Sequence, residues 1–202
     1  MGSLRVFFER LRARPVIAGL RHSEELEQAV NSGVSVVFIL GDDIFALQAS
    51  VAKAHAQGRL VLAHLDLIRG IGRDEAGVQY LARALGVDGV LTTRTPLITA
   101  AKKEGLIAVQ RLFALDSESL KVGLPTVEKA AADAVEILPG VILPIIAERL
   151  VNRGLLPPLI AGGLIRTEAQ VDAIMNAGAL AVSTSAKSLW SYTPAKRPHG
   201  RR

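Results

Sequence analysis

Eight short apolar runs, each followed by a longer amphipathic stretch, partition this sequence between residues 15 and 190. The runs are 15–20 (PVIAGL), 34–40 (VSVVFIL), 59–66 (RLVLAHLD), 88–92 (DGVLT), 106–112 (LIAVQRL), 133–138 (DAVEIL), 158–161 (PLIA) and 179–183 (ALAVS). They are continuous rather than alternating, which suits parallel strands covered on both faces. Helical periodicity fills 23–31, 45–57, 74–85, 97–104, 117–129, 144–153, 167–176 and a short 186–190. Gly33, Gly58, Gly86, Gly105, Gly154 and Gly178 stand near the helix-to-strand junctions, where a left-handed cap favours glycine. Thr167 with Gln170 has the spacing of a capping box, which Ser23 with Glu27 lacks. Eight strand–helix units in strict order predict an α/β fold, a compact (β/α)8 TIM-like barrel, shorter here than the usual ~250 residues. A doubly wound open sheet is the other arrangement that such alternation permits.

The barrel accounts for residues 15–190, leaving 1–14 as a basic N-terminal arm and 191–202 as a basic C-terminal tail. The chain holds 24 Lys and Arg against 19 Asp and Glu. The first 14 residues contribute Arg5, Arg10, Arg12 and Arg14 against Glu9 alone, and the last stretch contributes Lys196, Arg197, Arg201 and Arg202 with no acid. The basic excess therefore belongs to the ends, and the middle is slightly acidic. Terminal basic arms are a footprint of nucleic-acid contact, which makes Arg10, Arg12, Arg14, Lys196 and Arg197 candidates for it; solvated tails are the plain alternative. Aromatics are too sparse (5 Phe, 2 Tyr and 1 Trp) to suggest an exposed platform for stacking bases. Half the residues are hydrophobic, which excludes intrinsic disorder. No uncharged run reaches the roughly 18 residues of a membrane span, and the arginine-flanked N-terminus is no signal peptide, so a cytoplasmic protein is expected. Without cysteine there is no disulfide, thiolate zinc site or thiol nucleophile.

In such a barrel the chemistry lies at the C-terminal ends of the strands. Those ends carry His64 and Asp66, Gln110 and Arg111, Glu136, Gly162 and Gly163, then Ser183, Thr184 and Ser185, with Arg21 and Arg94 just beyond. Arg69, Arg73 and Arg166 fall in loops of the same face. Burying an unpaired charge is costly, so His64, Asp66, Arg111 and Glu136 at one end point to a binding site; an Arg111–Glu136 ion pair in the core is the structural reading. Small residues after the seventh and eighth strands are the sequence form of a barrel phosphate site, and they would serve tight turns equally. No metal is expected, and no lysine at a strand end offers a Schiff base. His64, Asp66 and Glu136 suit either acid–base or Mg2+ chemistry, or hydrogen bonds to the hydroxyls of a polyol. The competing function class is thus a small phosphometabolite isomerase or lyase using Glu136 or His64. Leu138-Pro139-Gly140 predicts a sharp turn beside the site, and Gly70-Ile71-Gly72 a mobile loop over it. His22, His55 and His199 lack ligand spacing and are expected at the surface.

The motifs PVIAGLR (15–21), HLDLIRGIGRDE (64–75), TTR (92–94), QRLFALDS (110–117), EILPG (136–140), AGGLIRT (161–167) and VSTS (182–185) together resemble the glycerol-3-phosphate-responsive antiterminators. The resemblance covers about residues 10–190. It implies a barrel that binds sn-glycerol 3-phosphate as effector, without another cofactor. The liganded protein then acts on the leader mRNA of glycerol-utilisation genes to prevent termination, and catalyses nothing. It further implies that Gly162, Gly163, Ser183 and Thr184 take the phosphate, while His64, Asp66, Arg111 and Glu136 meet the glycerol end or organise the pocket. It carries no RNA contact with it, and an oligomer is compatible with it. On charge alone, the terminal face is the expected place for RNA.

Overall fold

The computed structural model describes residues 2–151 and 157–194. Its strands are β1 (Val16–Leu20), β2 (Val36–Ile39), β3 (Leu60–His64), β4 (Gly89–Thr92), β5 (Ile107–Phe113), β6 (Ala134–Leu138), β7 (Leu159–Gly162) and β8 (Ala181–Thr184). Each pairs in parallel with its sequence neighbour, and β8 returns to β1, so the barrel is closed and the open-sheet alternative is excluded. The helices are α1 (Gly2–Ala13), α2 (Leu26–Asn31), α3 (Ile44–Ala56), α4 (Glu75–Tyr80), α5 (Thr95–Lys103), α6 (Ser117–Ala130), α7 (Leu143–Val151) and α8 (Glu168–Asn176). A π turn, Leu81–Leu85, extends α4, and Gly86 stops it with a left-handed φ of 67°. Thr167 and Gln170 cap α8 reciprocally. Gly154 lies outside the described residues.

Strand alternation divides the apolar residues into two cores. Ile17, Phe38, Leu62, Leu91, Val109, Ala134, Ile160 and Ala181 fill the barrel interior. Ala18, Val37, Ala63, Val90, Ala108, Val135, Ala161 and Val182 face the helices. Side chains two residues apart share a face. The inward set therefore continues upward from Leu62 to His64, from Val109 to Arg111, from Ala134 to Glu136, from Ile160 to Gly162 and from Ala181 to Ser183. A polar layer caps an apolar one inside the same barrel.

The other mouth is closed by the segment read as a basic arm. It is helix α1, whose Phe7 and Leu11 are fully buried in the interior core, with Leu4, Val6 and Phe8 packed around them. Arg10 donates to the Gly58 carbonyl at 2.6 Å and Arg14 to the Thr193 hydroxyl at 3.3 Å. Near the same end, the Asp88 and Asp133 carboxylates accept the Val61 and Ala108 N–H groups. His55 Nε2 lies 2.8 Å from the Asp88 carboxylate, and Lys102 pairs with Asp133 at 2.9 Å.

Candidate functional site

The C-terminal mouth opens into a cavity of about 1030 Å3. Its floor and walls include Gly19, Arg111, Gly163, Ser183, Thr184 and Ser185. Arg21, Asp42, Arg69, Phe113, Leu164 and Arg166 rise around it. Arg111 stands opposite Glu136 in the β5–β6 ladder, and its Nε donates to the Glu136 carboxylate. Glu136 has no solvent exposure, and its second oxygen accepts from the Ser183 hydroxyl. The carboxylate thus fixes two groups of the cavity from beneath without lining it. A guanidinium has five N–H donors, so Arg111 keeps donors beyond the one that Glu136 consumes.

His64 lies behind Arg111. Its Nδ1 is 3.4 Å from the Arg111 guanidinium, which can only donate, so the ring proton belongs on Nε2. Burial lowers its pKa to about 4, the Arg111 charge adds to that effect, and Asp66 opposes it. The imidazole is neutral near pH 7. Asp66 turns from the cavity: Oδ2 accepts from the Thr92 hydroxyl at 2.9 Å and the Thr93 N–H at 3.0 Å, and Oδ1 pairs with Arg94 at 3.2 Å.

Of the residues singled out in the sequence, Arg111, Gly163, Ser183 and Thr184 line the cavity, whereas His64, Asp66, Glu136 and Gly162 stand beside or below it. Gly162 is a packing position: a Cβ there would collide with the Glu136 carboxylate and lie 2.6 Å from Ser183 Oγ. Gly163 has a φ of 83° and more room, its nearest neighbour being Leu138 Cδ2 at 3.6 Å. Thr184 has the helix-facing parity, and its hydroxyl donates to the Ile165 carbonyl and accepts from the Ala186 N–H. That hydroxyl joins the two small-residue loops. Among the described residues no group of three or more His, Asp or Glu is placed to hold a metal ion. Pro139 sits at the turn expected of it, on the cavity wall. The loop expected to be mobile is bonded at its start, where Arg69 exchanges backbone hydrogen bonds with Asp42 and Ile44.

Arg10 and Arg14 are engaged by the protein itself, Arg12 is exposed, and Lys196 and Arg197 lie outside the described residues. The sequence reading missed Asp42, the cavity's one carboxylate on the described wall, with a φ of 75°. The Gly41-Asp42-Asp43 run was its signal, since Asp43 caps α3 and Asp42 is left over to face the mouth. It also missed the two phenylalanines on this face, Phe45 and Phe113, both exposed.

A family model described as glycerol-3-phosphate responsive antiterminator matches residues 16–190. A glycerol uptake operon antiterminator regulatory protein from Listeria monocytogenes str. 4b F2365 superposes with a TM-score of 0.82 at 33% identity, covering 88% of this chain and 95% of that one. A glycerol uptake operon antiterminator-related protein from Thermotoga maritima MSB8 gives 0.78 at 31% identity, covering 89% and 99%. The uncharacterized protein YgcP of Escherichia coli (strain K12) is 32% identical over 181 residues, 90% of this chain and 94% of its own length. Several aldolases at 14–16% identity share the fold alone.

Proposed function

Because the chain belongs to the glycerol-3-phosphate-responsive antiterminator family, we propose that it senses sn-glycerol 3-phosphate in the cavity above Arg111. The loaded protein then binds the leader mRNA of glycerol-utilisation genes and lets transcription pass a terminator. The observation that carries this reading is the family match together with a cavity framed by Arg111 and the small residues 163 and 183–185. A phosphate is best held by a fixed guanidinium and by loops without bulk, because charge-assisted bonds are the strong ones. Arg111 is fixed by Glu136, and Gly163 and Ser185 let the ligand approach the backbone. No other cofactor is required, and none of the described helices is long and apolar enough to cross a membrane.

Binding without turnover is supported by where Glu136 and His64 lie. The isomerase or lyase alternative needs Glu136 or His64 at the substrate. Glu136 is sealed under Arg111 and Ser183, and neutral His64 is behind the guanidinium. The described cavity wall has no lysine; Asp42 is its lone carboxylate and His22 its one imidazole. Transcription in vitro through a terminator-bearing glycerol-operon leader tests the reading. Read-through should rise with sn-glycerol 3-phosphate while the effector is recovered unchanged. Read-through indifferent to the effector, or effector consumed in an Asp42-dependent reaction, would contradict it.

A further inference from the structure

The apolar side chains left exposed are not spread evenly. Of the large ones exposed among the described residues, Phe113 ends β5, and Phe45, Leu67, Leu115, Ile145 and Leu164 lie in strand-to-helix loops or in the first turn of the next helix. That places all six at the cavity end of the barrel. Only Tyr80 and Val122 lie elsewhere, on helix flanks. Phe45 is 76% exposed and Phe113 is 48% exposed. Clustered apolar exposure on one face marks an interaction surface.

The same face carries cations with nothing to neutralise them. Arg21, Arg69 and Arg166 line the cavity mouth, are exposed, and form no ion pair among the described residues. They follow β1, β3 and β7, so they form an arc on the side of the barrel where β7, β8, β1, β2 and β3 adjoin. Asp42 is the one acid on that wall. At the opposite end Arg5 pairs with Glu9, Arg10 donates to the Gly58 carbonyl and Arg14 to the Thr193 hydroxyl, which leaves Arg12 as the exposed arginine of the N-terminal stretch without such a contact among the described residues. A second copy of this chain is a poor occupant of the cavity face, since a twofold contact would set the arc against itself. A single-stranded polyanion with flat apolar bases matches both halves of the surface.

From this juxtaposition we propose that single-stranded RNA docks across the mouth of the effector cavity. Its phosphates lie on Arg21, Arg69 and Arg166, and its bases lie against Phe45 and Phe113. The proposal rests on the antiterminator reading above and adds to it that effector and RNA occupy one face. Coupling is then direct: the effector is part of the floor that the RNA covers, no signal crosses the barrel, and RNA must raise effector affinity by the factor that effector raises RNA affinity.

The test uses a random-sequence single-stranded RNA pool enriched on protein saturated with sn-glycerol 3-phosphate. RNA affinity is measured over a salt series, and effector affinity is measured separately without RNA. Phe45→Ala should lose roughly tenfold in RNA affinity at an unchanged salt slope, because base stacking is uncharged. Its effector affinity should equal the parent's, since Phe45 is not in the cavity wall. Arg166→Ala should flatten the slope by about 0.7 for each phosphate released. Arg12→Ala, at the far end, should change neither quantity. RNA binding lost in Arg12→Ala but intact in both mouth variants would overturn the proposal while leaving the function standing. So would mouth variants that alter only self-association. A parent that binds effector but retains no RNA overturns the antiterminator reading and this proposal together.

Discussion

Arg111 and Glu136 face each other in register across β5 and β6, the one at the cavity floor and the other without solvent exposure beneath it. The pair lies at the top of the apolar interior, where Glu136 has no water to fall back on and Arg111 opens onto the cavity. Ser183 occupies the second Glu136 oxygen, which leaves that carboxylate fully committed.

Removing one partner therefore strands the other. Glu136→Gln should cost about 3–5 kcal/mol in chemical denaturation, the range for breaking a buried pair from one side. It should also weaken effector binding, because Arg111 loses the contact that orients it. Replacing both, Arg111→Met with Glu136→Leu, should recover much of the stability and none of the binding. Equal effector affinity in Glu136→Gln and the parent would show that the pair is purely structural.

His64 gives a pH signature. Its pKa falls from an ordinary 6.5 to about 4. Between those values the unfolded chain holds more protons than the folded one. The neutral imidazole's contribution is therefore complete above pH 6.5 and is lost as pH falls toward 4. The loss is up to about 3 kcal/mol. His64→Gln should flatten the dependence of urea-unfolding stability on pH across that window. A parent whose stability is level from pH 7 to pH 5 would show that the imidazole is not held neutral.

The two adjacent glycines separate packing from backbone strain. Gly162→Ala drives a methyl into the Glu136 carboxylate and Ser183, disturbing the support of Arg111. Gly163→Ala has space for its methyl and carries only the left-handed φ, worth about 1–2 kcal/mol. The first should therefore lose more stability than the second in thermal melts, and the reverse order would refute this division. Gly163→Val adds bulk at the cavity wall and should weaken the effector by roughly tenfold or more.

At the far mouth, Phe7→Ala should cost about 3–5 kcal/mol as a large buried aromatic is removed. Effector affinity of the folded fraction should be unchanged, because the layers of the barrel interior separate α1 from the cavity. A parallel drop in affinity would reveal coupling between the two mouths.

The barrel was legible because parallel strands covered on both faces read as unbroken apolar runs, and each of the eight appears within two residues of its expected position. The site was legible only in outline. A strand end says that a side chain is near the mouth, but parity and depth decide whether it faces the cavity. Asp66 lies beyond the end of β3 and turns to Thr92 and Arg94, while Glu136 lies mid-strand, where Gly162 and Ser183 cover it. Helix α1 was concealed by its arginines. Leu4, Phe7, Phe8 and Leu11 already had the i, i+3, i+4, i+7 spacing of a buried helical stripe. Counting aromatics likewise said nothing of where Phe45 and Phe113 would emerge.

The claim on which the rest depends is that this cavity takes glycerol phosphate through its phosphate. Calorimetric titration of the parent with sn-glycerol 3-phosphate and, separately, with glycerol measures that directly. Saturable one-to-one binding is expected for the phosphate ester, with glycerol at least about a hundredfold weaker, because it lacks the charge-assisted bonds to Arg111 and the small-residue loops. No heat from the ester, or glycerol binding as tightly as the ester, would contradict it.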